Sequence, residues 1–312
     1  MKVLVTGGAG FIGSNFVEMA LSGQFPAISK VVVLDKLTYA GKISNLSFAL
    51  ENPNFNFIHG DICDPELVSN AMLDVNAVIN FAAESHVDRS INDSAEFIKT
   101  NIVGTHVLLE AARQKGLLRF IQISTDEVYG SIESGSWDEN SPLLPNSPYS
   151  ASKAAADLLV RSYFITHNLN VNITRCSNNF GPRQYPEKII PLFISNLING
   201  RKIPLYGNGE NVRDWLYVTD HCEAIYKVLT SGTPGEIYNV GGGTELTNLS
   251  LTKKLLEALG NDLTSIEFVS DRLGHDFRYS VNWEKIEELG YEPKMNFEDG
   301  IKKTLTWFRQ NK

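Results

Sequence analysis

The sequence of 312 residues has few cysteines, no long apolar run and no excess of positive charge. Its three cysteines, Cys63, Cys176 and Cys222, are far apart and form no C-x-x-C pair, which disfavours a disulfide framework and favours a reducing compartment. No apolar run reaches the roughly 18 residues that a membrane span needs. The residues after Met1 predict a strand and a glycine loop, not a signal peptide, so we expect a cytoplasmic globular protein.

Acidic residues outnumber basic ones by 36 to 28, which gives a formal net charge of −8. This balance disfavours a general binder of nucleic acids or anionic membranes and leaves room only for a local basic pocket. The six histidines show no metal-ligand spacing, and we predict no metal. The sequence also lacks internal repeats and low-complexity tracts, and its length suits two domains or one large α/β unit.

Short apolar runs alternate with longer helical patterns through the first half of the chain, which predicts βαβ units and a parallel sheet. The predicted strands cover residues 2–6, 30–34, 55–59, 77–81, 119–124 and 171–175. One predicted helix begins at Ser14, and two others cover residues 95–115 and 149–167. We therefore predict an α/β fold, a Rossmann-type doubly wound parallel sheet, with an NAD-binding domain over residues 1–177.

The pattern changes after Asn178, where Gly-Pro and Tyr-Pro pairs and several glycine turns interrupt it. We predict a smaller α+β substrate domain over residues 178–312. Residues 212–230 are a candidate for return to the first domain.

A glycine loop follows the first predicted strand. Gly7, Gly10 and Gly13 lie in the string TGGAGFIGS (6–14), which satisfies G-x-G-x-x-G between a strand and a helix. Such a loop lets backbone N–H groups approach a pyrophosphate at a helix N-terminus. Asp35 ends the second predicted strand, where a carboxylate accepts ribose hydroxyls and repels a 2′-phosphate, so we predict NAD and not NADP. Alone, Asp35 would be a turn residue at a strand end.

Tyr149 and Lys153 lie one helical turn apart in YSASK. A tyrosine is a poor base at neutral pH, but a lysine and a positively charged nicotinamide ring would stabilise its phenolate. The pair therefore suggests a base that takes a proton from a sugar hydroxyl while NAD accepts the hydride. The spacing alone would fit a surface pair on a helix.

The fifth predicted strand ends in TDEVYG (125–130). Thr125 can donate a hydrogen bond to a carbonyl group. Asp126 and Glu127 suggest divided labour, one protonated as an acid and one ionised as a base, with pKa values driven apart by proximity. Alone, the two carboxyls would be a solvated loop pair. A simple alcohol dehydrogenase or epimerase needs no such pair, so it is the most discriminating feature of the sequence.

These strings, with AAESHVDRSI (82–91), NNFGPRQYPEK (178–188), VRDWLYVTDH (212–221) and DRLGHDFRY (271–279), make the chain resemble the extended short-chain dehydrogenase/reductase family, and within it the nucleotide-sugar 4,6-dehydratases. The resemblance covers essentially the whole chain. It implies a hydro-lyase that converts dTDP-D-glucose to dTDP-4-keto-6-deoxy-D-glucose by internal NAD redox, as in dTDP-L-rhamnose and deoxysugar biosynthesis. It also implies a homodimer that meets through the helices 95–115 and 149–167.

The resemblance implies three chemical steps. Tyr149 deprotonates the sugar 4-hydroxyl as the C4 hydride passes to NAD, with Lys153 lowering its pKa and Thr125 polarising the ketone. Glu127 then removes the C5 proton while Asp126 protonates the departing C6 hydroxyl. The hydride finally returns to C6.

The resemblance also implies which residues meet each ligand. The predicted cofactor residues are Gly7, Gly10, Phe11, Ile12, Gly13, Asp35, Lys36, Leu37, Thr38, Asp61, Ile62, Ala82, Ala83, Glu84, Ser85, Thr100, Tyr149, Lys153 and Asn179. The predicted substrate residues are Ser85, His86, Thr125, Asp126, Glu127, Asn178, Lys188, Ile189, Pro204, Leu205, Tyr206, Arg213, Asn248, Arg272 and His275. Arg213 and Arg272 suit a pyrophosphate through bidentate contacts.

Three alternatives stay open at this stage. A UDP-sugar 4-epimerase shares the glycine loop, Thr125 and the Tyr-Lys pair but does not need Asp126 and Glu127. A GDP-mannose 4,6-dehydratase would prefer NADP and carry a basic residue in place of Asp35. A non-catalytic nucleotide-binding protein on the same fold would be expected to have lost a catalytic residue.

Overall fold

The structure, a computed structural model, describes residues 1–271 and 274–311. Its strands are β1 Lys2–Thr6, β2 Lys30–Asp35, β3 Phe55–His59, β4 Ala77–Asn80, β5 Arg119–Thr125, β6 Val171–Cys176, β7 Asn178–Phe180, β8 Ile203–Tyr206, β9 Val212–Tyr217, β10 Ile237–Val240, β11 Glu245–Thr247 and β12 Ile266–Val269. Its α-helices are α1 Phe11–Leu21, α2 Pro65–Ala71, α3 Val87–Asn92, α4 Ala95–Phe97, α5 Thr105–Lys115, α6 Pro148–His167, α7 Ile189–Ile198, α8 Val218–Ser231, α9 Asn248–Leu259, α10 Glu284–Glu287 and α11 Phe297–Gln310.

Seven strands form one parallel sheet in the order β10-β6-β5-β4-β1-β2-β3. The chain runs outward from β1 to β3 and then returns to place β4 on the other side of β1. This reversal separates the loops after β1 and β4, and ligands bind at such a point in open α/β sheets. The predicted α/β fold with a parallel sheet is confirmed.

Apolar residues cover both faces of this sheet, as buried parallel strands require. Along β1, Val3 and Val5 pack on the face that α1 and α8 cover. Leu4 points to the opposite face, which α2, α5 and α6 cover, because successive strand residues alternate in direction. The helices therefore cover both faces of the sheet, and the loops at the ends of its strands stay open to ligands.

A second core lies under α7, α9 and α11 and includes Phe193, Trp215, Leu251 and Ile301. Two small sheets flank it, one in the order β11-β9-β7 and one that pairs β12 with β8. Two elements from the later part of the chain join the large sheet and its helices. Helix α8 packs against α1, and β10 is the edge strand beside β6.

The segment predicted as one helix over 95–115 contains a π-helix from Ile98 to Gly104 between α4 and α5. Apolar spacing does not signal this change of hydrogen-bond register. No helix in residues 1–271 and 274–311 combines the length and apolar character that crossing a bilayer requires.

Candidate active site

The glycine loop packs tightly against the sheet. Gly7 has a φ of +67°, and a Cβ there would lie 2.6 Å from the backbone nitrogen of Ala82. A Cβ at Gly13 would lie 2.5 Å from the carbonyl oxygen of Gly7. Helix α1 begins at Phe11, and its N-cap Gly10 offers no side chain to the first amides. These amides therefore remain available to an anion, which is the arrangement that a dinucleotide pyrophosphate needs.

Asp35 holds the loop from the end of β2. Its carboxylate accepts hydrogen bonds from the backbone N–H of Ala9 and of Leu37, both at 2.8 Å. Burial raises the pKa of Asp35, and the two backbone bonds act in the opposite direction. The glycine loop and this carboxylate fit NAD, since the loop has room that side chains would fill and the acid lies where the adenosine ribose belongs.

One continuous cleft lies along the carboxyl ends of the strands and contains nearly all the predicted site residues. The predicted cofactor residues that line it are Gly7, Gly10, Phe11, Ile12, Gly13, Asp35, Lys36, Thr38, Asp61, Ile62, Ala82, Ala83, Glu84, Ser85, Thr100, Tyr149, Lys153 and Asn179. The predicted substrate residues that line it are Ser85, His86, Thr125, Asp126, Glu127, Asn178, Lys188, Ile189, Pro204, Leu205, Tyr206, Arg213, Asn248 and His275.

Among the predicted residues that the structure describes, Leu37 does not line the cleft. The Leu37 side chain packs against the core that α1 and α8 cover, and its backbone φ is 53°. Its backbone N–H donates to the Asp35 carboxylate. Arg272 lies outside the residues that the structure describes. Leu37 is predicted together with Lys36 and Thr38, but adjacency in the sequence does not show which way a side chain points.

Tyr149 lies at the start of α6 and is almost fully buried. Burial raises its pKa well above the usual value, and the nearby Glu127 adds to this, while a hydrogen bond with Thr125 opposes it. The ammonium of Lys153 donates to the carbonyl of Ile123 at 2.6 Å, and burial lowers its pKa. Burial and the charge of Glu127 therefore favour the protonated phenol.

The acid pair follows β5 directly. Asp126 is buried, and its Oδ1 accepts a hydrogen bond from the Thr125 hydroxyl at 3.2 Å while Oδ2 is buried without a hydrogen-bond partner. Burial raises the pKa of Asp126 well above its usual value, and the neighbouring Glu127 raises it further. Glu127 is less buried and faces the same cleft. The two neighbouring carboxyls therefore lie in environments of different burial.

Arg213 is held more firmly than its sequence context suggests. Its guanidinium donates to the backbone carbonyls of Val212, Asp276 and Phe277 at 2.7, 2.9 and 3.2 Å. It also lies 4.3 Å from the ring centroid of Tyr279, a cleft residue that sequence reasoning missed. The string DRLGHDFRY contains Tyr279, but only the fold brings it under the arginine.

Asn101 is a second residue that sequence reasoning missed. It lies buried in the π-helix, and its side chain accepts from the backbone N–H of Glu84 at 2.9 Å and donates to the Glu84 carbonyl at 3.0 Å. It also donates to the Ser152 hydroxyl at 2.8 Å. Asn101 thus joins the loop after β4 to the helix that bears Tyr149 and Lys153. π-helical turns often occur at functional sites.

The fold and the site define a class: an enzyme that binds a dinucleotide and carries a tyrosine, a lysine and an acid pair in one cleft. Within residues 1–271 and 274–311, no group of three or more His, Cys, Asp or Glu side chains is placed to hold a metal ion.

Comparison with known proteins narrows this class. Residues 4–304 match the family described as GDP-mannose 4,6 dehydratase. The chain is 53% identical to the dTDP-glucose 4,6-dehydratase of Streptomyces niveus, over 100% of this chain and 94% of the relative. It is 54% identical to the low-salt glycan biosynthesis protein Agl12 of Haloferax volcanii, over 99% of this chain and 98% of the relative.

A solved structure agrees with this. DesIV, the dTDP-glucose 4,6-dehydratase of Streptomyces venezuelae, was crystallised with NAD bound and superposes with a TM-score of 0.98 at 54% identity, covering 100% of this chain and 98% of that one. The chain therefore belongs to the nucleotide-sugar 4,6-dehydratase family of extended short-chain dehydrogenase/reductases, in its dTDP-glucose 4,6-dehydratase branch.

Proposed function

We propose that this chain dehydrates dTDP-D-glucose to dTDP-4-keto-6-deoxy-D-glucose with NAD as a retained cofactor. The observation that carries the proposal is the acid pair Asp126 and Glu127 beside Tyr149 in the cleft of the glycine loop. An epimerase that only oxidises and reduces C4 has no use for a buried carboxyl with a raised pKa. Loss of water has such a use, because hydroxide is a poor leaving group without a proton donor.

The glycine loop and Asp35 would hold NAD. Bound NAD would accept a hydride from C4 of the sugar, and the NADH so formed would donate it to C6. NAD is favoured over NADP because Asp35 would repel a 2′-phosphate, and this also disfavours the GDP-mannose enzyme considered from the sequence.

The protein side chains move the protons. Tyr149 Oη takes the proton of the sugar 4-hydroxyl, with Thr125 holding the oxygen at C4. Glu127 takes the proton from C5, which the 4-ketone has made acidic. Asp126 delivers its proton to the C6 hydroxyl, so that water leaves and a C5–C6 double bond forms. Reduction at C6 and return of a proton to C5 complete the product.

The substrate side of the cleft supports the nucleotide assignment. The Arg213 guanidinium is held by three carbonyls and an aromatic ring, so little freedom is lost when it binds a diphosphate. Lys188 and Asn248 line the same cleft. A fixed guanidinium suits the planar, bidentate recognition of phosphate.

Mass spectrometry of dTDP-glucose incubated with the purified protein, without added reductant, tests the proposal. We expect loss of one water with no net formation of NADH. An unchanged mass with an inverted sugar configuration would identify an epimerase instead. UDP-glucose and GDP-mannose are assayed in parallel. Faster water loss from GDP-mannose would contradict the assignment of a thymidine nucleotide.

We also propose a homodimer formed by the π-helix with α5 and by α6. These neighbouring helices expose the apolar side chains Ile98, Val103, Leu158 and Ile165, which are 51%, 46%, 57% and 62% accessible. Several large exposed apolar side chains on neighbouring helices are typical of an interface. A second copy suits it because the same two helices can pack against themselves about a two-fold axis.

Leu158→Glu is expected to convert the dimer to a monomer, because it buries an unpaired charge in the interface. Light scattering after size exclusion measures the mass. Phe268→Glu is the matched control, since Phe268 is 61% accessible on β12 and lies away from these helices. A Leu158→Glu protein with the mass of the wild type would contradict the proposed interface.

The finer assignments, to the dTDP-L-rhamnose pathway and to the cytoplasm, remain predictions. The three cysteines are unpaired, which suits a reducing compartment.

A further inference from the structure

Four side chains from three separate segments meet at the rim of the cleft. Tyr39 belongs to the loop after β2, Arg89 to α3, and Tyr185 and Glu187 to the segment between β7 and α7. We name these four residues the rim cluster. None of them has a role in the proton transfers proposed above.

The contacts within the rim cluster join all three segments. The Arg89 guanidinium lies 3.9 Å from the ring centroid of Tyr39, and its Nε donates to Glu187 Oε2 at 3.0 Å. The rings of Tyr39 and Tyr185 meet edge to face with centroids 5.5 Å apart. Arg89 thus bridges the loop after β2 and the segment before α7.

Further contacts attach the same segments beside the rim cluster. The Tyr39 phenol lies near the side chains of Glu84 and Ser85, in the loop after β4, and burial together with the charge of Glu84 raises its pKa. The ammonium of Lys188 donates to the Ser85 carbonyl at 2.7 Å. The three segments are therefore cross-linked by charge, ring and hydrogen-bond contacts.

The rim cluster lies along the cofactor part of the cleft. Thr38 and Ala40, on either side of Tyr39, line the cleft close to Asp35. Tyr185 and Glu187 line it themselves, next to the predicted substrate residue Lys188. The contacts thus connect the wall at the adenosine end to the wall at the sugar end.

We propose that Tyr39, Arg89 and Glu187 retain the cofactor, as positioning residues that hold these three segments closed over it. The inference rests on the proposed function, because a reaction that reduces and reoxidises one NAD within a turnover fails if the reduced form leaves. The segments must separate before a dinucleotide can leave the cleft. Contacts that break only on separation slow that departure.

The test measures the dissociation rate of NADH from the full-length protein by its fluorescence after a chase with excess NAD. Arg89→Met removes the charge and keeps the length of the side chain, and Tyr39→Leu removes the ring that the guanidinium covers. We expect each to speed release about ten-fold, since an exposed ion pair and a cation–π contact are each modest. The double variant should release NADH little faster than either single variant, because both remove one shared bridge.

Lys254→Met is the matched control. Lys254 forms an exposed ion pair with Glu298 that joins α9 to α11, away from the cleft, and its loss should leave NADH release unchanged. Charge reversal in the double variant Arg89→Glu with Glu187→Arg should restore part of the slow release. If Arg89→Met fails to fold, Tyr39→Leu and Glu187→Gln carry the same test.

Unchanged NADH release in folded Arg89→Met and Tyr39→Leu proteins would overturn the proposal. Equal acceleration in Lys254→Met would also overturn it, because the effect would then be general loosening. These rates need no sugar substrate, so they are independent of whether dTDP-glucose is dehydrated. With substrate present, the fast-releasing variants should in addition free NADH and a 4-keto sugar that has not been reduced at C6.

Discussion

Tyr149→Phe is expected to lower kcat by about 10²–10⁴-fold, the range that general acid–base groups contribute. The substitution removes the only atom of this side chain that can take the proton from the sugar 4-hydroxyl. The ring stays, so the packing of α6 and the binding of nucleotide sugar should change little. Single-turnover reduction of bound NAD, followed by absorbance after mixing with dTDP-glucose, isolates the first step.

The pH dependence of that first step gives a second readout. Burial raises the pKa of Tyr149, so the wild-type rate should rise with pH as the phenol loses its proton. The Tyr149→Phe protein should be slow and independent of pH over the same range. Tyr226→Phe, which alters a phenol that accepts from the Ala27 backbone far from the cleft, is the control. A Tyr149→Phe enzyme with wild-type NAD reduction would remove Tyr149 from the base role.

Asp126→Asn is expected to slow water loss by about 10²–10⁴-fold while bound NAD is still reduced at the wild-type rate. Asparagine keeps the shape of the side chain but cannot deliver a proton to the C6 hydroxyl. A ketone that has not lost water should therefore accumulate on the enzyme. Rapid quench and mass spectrometry detect it.

Comparison with the Glu127→Gln variant distinguishes the roles of the two acids. In heavy water, the Asp126→Asn enzyme should still exchange the C5 hydrogen of the bound sugar, because Glu127 remains to remove it. The Glu127→Gln enzyme should not exchange it. The opposite pattern would reverse the two roles, and unimpaired water loss in Asp126→Asn would end the assignment of Asp126 as the acid.

The same Asp126→Asn variant should gain stability relative to the wild type as the pH rises. The folded-state pKa of Asp126 lies above its unfolded value, so the wild-type protein is most stable below about pH 4 with respect to this group and loses stability as the pH rises through the folded-state pKa. Asparagine does not titrate, so the difference in Tm between variant and wild type should grow with pH across that window. A constant difference would mean that the carboxyl is ionised at little cost in the fold.

Much of the fold could be predicted because the six predicted strands are short runs rich in apolar and β-branched residues. The predictions 2–6 and 55–59 match β1 and β3, and the others differ by one residue at the end. Strand β10 could not be predicted in the same way, since its four residues include Tyr238 and Asn239 and its partner β6 lies far away in the sequence. Nearly all the predicted site residues line the cleft, because strand ends meet at one edge of a parallel sheet.

Other features depend on tertiary contacts that no local pattern records. The cation–π contact of Arg213 with Tyr279 and the bonds of Asn101 to Glu84 join distant segments. The bond from Lys153 to the Ile123 carbonyl is of the same kind. A spacing of four residues predicts that Tyr149 and Lys153 share a helix face, but it does not say which acceptor the ammonium meets.

The position of β10 late in the sequence has a consequence for synthesis on the ribosome. A nascent chain that has reached residue 177 has made six strands of the large sheet, and β6, buried along its whole length in the finished fold, then has one open edge. β7, β8, β9 and α8 must be translated before β10 can cover that edge. An uncovered apolar strand edge pairs readily with other chains, so the growing polypeptide is exposed to aggregation until Val240 has emerged.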